Sequence, residues 1–303
     1  MVLSANKLGL FVAAALACGA APLERLEYVE PHMGTLFRIT LYAANKPAAR
    51  AASDEAFARV KALDGMLSDY KPESELSRLT THAAGEWVPV SDDLFHVLRA
   101  SLTVSRSTGG AFDVTAGPVV RIWREARKTR SLPSQAAILS ALASTGYRNI
   151  ELDARRRAVR TAIQGMQLDF GAVAKGYAAE EALKILRQRG YPRAMVAASG
   201  DLALGEPPPG TNGWRISIEP SETGKQILTL RNCGVSTSGD TNQFAEIGGK
   251  RYSHIIDARN GQALAESRGV TVIAKRSMDA DALATAACIL GKPIAHRRAR
   301  YFH

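Results

Sequence analysis

From Gly34 to Tyr42 apolar and polar positions alternate, with Phe37, Ile39 and Leu41 on one face and Arg38, Thr40 and Tyr42 on the other. That period of two predicts a half-buried strand. Ala48 to Met66 reads as a helix closing near Gly65, and Ser91 is placed to cap another over Asp92 to Ser107. Between Val173 and Arg189, residues Ala174, Ala178, Ala182, Leu183 and Leu186 fall on one helical face. Gly190 and Pro192 then stop that helix. A helix, a short strand at 150–152 and a basic turn are expected between Arg130 and Gly165. Strands are expected near 194–204, 214–219 and 269–274, and a last helix runs from Met278 to Gly291. Asp113 and Thr115 alternate as on a short strand.

The N-terminus reads as an address. Lys7 precedes the apolar run Leu8 to Leu16, too short to span a bilayer as a mature helix, and Ala15-Leu16-Ala17-Cys18 resembles a bacterial lipobox. Export is expected, with either a lipid on Cys18 or a plain signal cut near Ala17. Cys233 and Cys288 remain, and a bridge between them stays open alongside two buried thiols. No Cys/His spacing suits zinc. The 303 residues allow two domains or one large two-lobed one. The net charge of +10 favours anionic partners. The arginine clusters are not interleaved with aromatics, so a small anionic molecule fits that charge better than nucleic acid.

The densest chemistry lies at Leu168-Asp169-Phe170-Gly171-Ala172-Val173-Ala174-Lys175-Gly176-Tyr177. It reads as a strand end, a tight turn and the start of a helix, with Lys175 in the first turn. Backbone N–H groups and an ammonium there make an anion site, and Asp169 lies one turn back. Asp281 and Thr285, four apart on the last helix, share a face and could give two hard oxygens to magnesium. Tyr70, a lone aromatic in a polar loop, is a candidate for stacking on a planar ligand.

Taken in order, the stretches G-G-A-F-D, D-F-G-A-V-A-K-G, S-G-D, V-S-T-S-G-D, Y-S-H-I-I-D and A-D-A-L-A-T-A resemble the ApbE-type flavin transferases, the FAD:protein FMN transferases. The resemblance covers about Met33 to Gly291. It implies an exported α+β enzyme of T-fold-like, two-lobed build, with antiparallel sheets, packed helices and FAD in a central cleft. It implies transfer of FMN from FAD to a threonine hydroxyl of an acceptor flavoprotein, with magnesium required and AMP released. By motif, Met33, Tyr70, Ala111, Phe112, Asp113, Asp169, Lys175 and His254 are flavin-nucleotide contacts. The Ala172 carbonyl, Asp281 and Thr285 are the metal ligands. His254, Lys175 and Asp281 are the catalytic candidates, with His254 or Asp257 as the base. A hydrolase giving FMN and AMP, and a flavin binder without turnover, remain alternatives. The domain plan is therefore a signal or lipoprotein segment at 1–18, a flavin transferase domain at 25–291 and an atypical basic tail at 292–303. The family's closing strand is expected to be missing after the last helix.

Overall fold

The computed structural model describes residues 22–82, 84–219, 224–239, 244–266, 268–295 and 299–302. The export signal and Cys18 lie outside the described residues.

The chain opens with a hairpin, β1 (Glu24–His32) and β2 (Thr35–Ala43), then α1 (Lys46–Leu67) and α2 (Glu75–Leu79). There follow β3 (Val88–Pro89), α3 (Asp92–Ser107), α4 (Gly117–Thr129), α5 (Gln135–Ala143), β4 (Ile150–Asp153) and β5 (Ala158–Thr161). The middle of the chain holds α6 (Ala174–Gln188), β6 (Ala194–Ala198), β7 (Asp201–Leu204), β8 (Trp214–Ile218), β9 (Gln226–Leu230) and β10 (Gly234–Ser238). Last come β11 (Phe244–Ile247), β12 (Lys250–Ser253), β13 (Ile256–Asp257), β14 (Gln262–Ala263), β15 (Val270–Ala274), α7 (Ser277–Leu290) and β16 (Arg300–Phe302).

One seven-stranded sheet, ordered β1-β2-β6-β7-β10-β15-β16, organises the rest, and every neighbouring pair in it is antiparallel. The apolar side of the expected alternation on β2 holds: Phe37, Ile39 and Leu41 are fully buried in one core with apolar residues of α1, α6 and α7, while on the other side Arg38 is exposed but Thr40 is buried as well. Each such apolar side chain contributes about 1.5–3 kcal/mol on leaving water. The hairpin β8–β9 covers the other face, where Trp214, Ile216 and Ile218 meet Leu204, Val235 and Ile273. A second, smaller core joins Val119, Trp123 and Ala126 of α4 to Ala245, Ile247, Ile256 and Ala263 of the short C-terminal hairpins. The class is thus α+β with antiparallel sheets, as expected.

Several expectations need correction. The closing strand is present: β16 pairs with β15 through Thr271–Phe302 and Ile273–Arg300 and forms one edge of the main sheet. Three residues behind a basic run are too short a stretch for a period of two to show. Asp113 to Thr115 is a turn rather than a strand, because the Asp113 carboxylate bonds back to Thr115. The segment before α6 forms no ladder strand; its β pairing is one isolated bridge, Gln167 with Ala116 just before α4. Of the two readings left open for the cysteines, the structure has no bridge between them: Cys233 is half-buried, and Cys288 is buried with its thiol donating to the Arg268 carbonyl at 3.2 Å.

Candidate active site

Two helix starts meet at the centre of the site. Gly176, in the first turn of α6, lies so near α7 that a Cβ there would come 2.5 Å from the Ser277 carbonyl oxygen and 2.9 Å from the Asp281 Cβ. Only glycine allows that approach. It lets the Gly176 N–H donate to Asp281 Oδ2 at 3.0 Å. The carboxylate of one helix therefore caps the positive end of another.

Lys175 stands beside this contact. Its Nζ lies 3.0 Å from Asp201 Oδ2 and 3.8 Å from Asp281 Oδ2, and donates to the Gly171 carbonyl at 3.1 Å. Asp201 opens β7, is 3% exposed, and accepts from Ser236 Oγ at 2.6 Å. Burial works against the Lys175 ammonium, but the charges of Asp281 and Asp201 outweigh it and raise its pKa. Burial, then the charge of Asp201, pushes the Asp281 carboxyl up to about 7, with Lys175 pulling the other way. Two buried acids thus share one cation, and the site holds an excess of negative charge.

The oxygen donors around that excess suit a hard divalent ion. Thr285 follows Asp281 by four residues on α7, and its hydroxyl lies 3.3 Å from Ser238 Oγ. The Ala172 carbonyl is also available. The Tyr177 N–H bonds back to Val173, but the Gly176 N–H, which would reach Ala172 in a regular helix, goes to Asp281 instead. Among the described residues no three His, Cys, Asp or Glu side chains form a cage of their own. A magnesium ion, which keeps waters and takes phosphate oxygens, needs no such cage. Carboxylate, hydroxyl and carbonyl oxygens fit it.

A second cluster adjoins the first. Asp169 Oδ1 accepts the Gly171 N–H at 2.7 Å, so the residue that receives Lys175 also holds Asp169. Asp169 Oδ2 accepts Arg124 Nη2 at 2.7 Å, and the other arm of Arg124 bonds Asp69. The Arg124 guanidinium lies 4.3 Å from the centre of the Tyr70 ring, which is 73% exposed. Burial and the charge of Asp69 push the Asp169 carboxyl up, and Arg124 opposes them.

Other predicted contacts are placed with more or less room for a ligand. Ala111 and Phe112 are 1% and 3% exposed and belong to the core. Asp113 bonds Thr115 and the Tyr147 N–H, so its carboxylate serves its own turn; burial raises its pKa. The turn still runs beside Asp169, whose N–H donates to the Val114 carbonyl at 2.8 Å. Met33 and Gly34 close the β1–β2 hairpin with φ of 49° and 71°. A left-handed methionine costs roughly 1–2 kcal/mol, held here by the tight turn. The turn borders an open hollow of about 520 Å³ that Asp64 also lines, and Lys71 from the Tyr70 loop reaches Asp64 at 2.6 Å. His254 is half-buried in the link between β12 and β13. Asp257 nearby is held by Arg259, whose Nε and Nη2 donate to its two oxygens at 2.9 and 2.7 Å.

A family model described as the ApbE family matches residues 33–302. The chain belongs to the ApbE family. A relative named FAD:protein FMN transferase, from Treponema pallidum, is 33% identical over 293 residues, spanning 90% of this chain and 81% of its own. Another of that name, from Klebsiella pneumoniae, is 31% identical over 272 residues, 86% of this chain and 77% of its own. The apo form of the flavinyl transferase ApbE from Pseudomonas stutzeri has a similar fold, with a TM-score of 0.80 and 31% identity, covering 89% of this chain and 85% of that one. The ApbE protein of Thermotoga maritima gives 0.80 and 28%, covering 88% and 87%. The match runs through β16, so the closing strand lies inside the family's extent.

Asp201 and Arg124 were not among the residues expected at the site. The S-G-D turn gave a signal for Asp201, an acid directly after an apolar strand. Arg124 gave none: it lies on α4, a stretch for which no element was expected.

Proposed function

We propose that the chain transfers FMN from FAD to a threonine hydroxyl of an acceptor flavoprotein, in a magnesium-dependent reaction that releases AMP. Lys175 set between Asp201 and Asp281 at the start of α6, in a chain of this family, is the observation that carries the reading. The Ala172 carbonyl, Asp281 and Thr285 would hold the magnesium, which when bound supplies positive charge to the pyrophosphate and the departing AMP phosphate. The Lys175 ammonium binds pyrophosphate oxygens, helped by the positive end of α6. Asp201 keeps that ammonium charged and in place. Tyr70, Asp169 and Met33 bind the rest of the dinucleotide.

The threonine Oγ forms a bond to the FMN-side phosphorus while the bridging P–O bond breaks, its electron pair leaving with AMP. A base takes the threonine proton. His254 or Asp257 takes that role, with Arg259 donating to both Asp257 oxygens. We place the protein outside the cytoplasm, anchored through Cys18. Palmitate incorporation that disappears in Cys18→Ser checks the anchor.

The function is tested by incubating the protein with FAD, magnesium and an acceptor domain, then assaying AMP and gel-stable flavin fluorescence. Transfer predicts both, with the fluorescence lost when the acceptor threonine is replaced by valine. AMP without labelled acceptor would make the chain a hydrolase, and neither product would make it a binder.

A further inference from the structure

We propose that Arg124 is a positioning residue that braces Tyr70 from behind, so that the ring offers its outer face as a ready stacking platform for a planar ring of the dinucleotide. The inference rests on the reading of FAD as substrate. Tyr70 sits on the loop after α1 and is 73% exposed, an unusual place for a fixed aromatic ring. One face is covered: the Arg124 guanidinium lies 4.3 Å from the ring centre. The guanidinium is itself fixed. One arm bonds Asp69, the residue next to Tyr70, and the other bonds Asp169 at 2.7 Å. Its side chain is 24% exposed, and those of Asp69 and Asp169 are 20% and 11%.

The planar fork explains why an arginine stands here. It spans two carboxylates while lying flat on a ring, which a lysine ammonium cannot do. The brace also reaches the Lys175 turn, because Asp169 holds the Gly171 N–H and Gly171 receives Lys175. Ring and phosphate site are thereby set at a fixed separation before a ligand arrives. A side chain already ordered need not be ordered on binding, worth roughly tenfold in affinity. Arg127, one turn further along α4, carries a second guanidinium, and its Nη1 is buried without a hydrogen-bond partner. Its charge also acts on Tyr70, so it controls for a positive charge near the ring.

The test compares the full chain with Arg124→Gln, Arg124→Lys and Arg127→Gln. Hydrogen exchange over residues 69–73 is followed without FAD, and FAD affinity is read from quenching of flavin fluorescence. In Arg124→Gln the loop should exchange faster, and Kd and KM for FAD should rise roughly tenfold, with kcat at saturating FAD within about threefold of the parent. Arg124→Lys, which keeps the charge and with it the fold, should fall between the two. Arg127→Gln should stay within about twofold in Kd. Unchanged exchange and Kd in Arg124→Gln would overturn the brace, as would a fall in kcat at constant KM, or an equal effect of Arg127→Gln. If the parent protein binds no FAD, the reading of the substrate fails and the platform with it. If the parent binds and Arg124→Gln binds equally well, only the platform fails.

Discussion

Two clusters flank the turn 169–175, and each sets two carboxylates around one cation. At the α6–α7 contact the cation is Lys175 between Asp201 and Asp281, whose side chains are 4% and 5% exposed. At the Tyr70 loop it is Arg124 between Asp69 and Asp169, 20% and 11% exposed. The cations differ in kind. An ammonium is a point charge that serves any oxygen in reach, so it can shift its attention from carboxylate to phosphate. A guanidinium fork fixes directions, so it holds a shape. On the proposed reading the first cluster stabilises changing charge, and the second presents a surface. Disturbing the first should therefore reduce turnover, and disturbing the second should reduce affinity.

Asp281→Asn gives the largest expected effect and the sharpest test of that division. It keeps the shape and the bond to Gly176 while removing a charge from the proposed metal site. Transfer should fall by more than roughly 100-fold, beyond the usual loss for a residue one layer out from a metal. FAD should still bind, since Tyr70 and Arg124 are untouched. Initial rates with saturating FAD and separate FAD titrations check this. Near-normal transfer at low magnesium would refute the metal site and erase the contrast between the clusters.

Gly176→Ala comes next and probes the packing that creates the first cluster. The new Cβ would press on the Ser277 carbonyl, which is backbone and can yield only if the helices part. Overpacking of this kind costs about 1–3 kcal/mol. Chemical denaturation should show that loss of stability, and transfer should fall with it as the Gly176–Asp281 bond opens. Full stability with normal transfer would mean that the close approach of α6 and α7 is not needed.

How much of this was legible in the chain follows from how local each feature is. The helix over Asp92–Ser107 was readable to the residue, because Ser91 caps it and two acids open it. The α6 stretch was readable from one apolar face and a glycine stop, the end of α7 from Gly291 and Pro293, and the Asp281–Thr285 pair from helical spacing alone. Strand β1 was not, since it lies at the sheet edge and alternates exposed with only half-buried positions. Asp201 meets Lys175 across 26 residues (201 − 175), a contact set by sheet order rather than by any spacing. Arg124 reaches Asp169 across 45 residues, and nothing local separates it from Arg121 and Arg127 on the same helix. Gly176 gave no cue either, because its role is a contact with a helix a hundred residues away.

The smallest expected effect is at Thr285. Its hydroxyl is one neutral oxygen among several, and Ser238 Oγ lies 3.3 Å from it, so a second hydroxyl remains at the same place when Thr285 becomes alanine. Magnesium also completes its shell readily with water. Thr285→Ala should therefore weaken metal affinity by about tenfold, at the lower end of losses seen around metal sites, with transfer recovering as magnesium is raised. Lys175→Ala should behave in the opposite way. Its lost ammonium stands between both acids, where the proposal also puts the phosphate, and more magnesium should restore little. Magnesium titrations of the two variants side by side check the pair of expectations. Equal rescue of both would mean that Lys175 only balances charge, and the distinction between a reacting and a presenting cluster would have to rest on Asp281 alone.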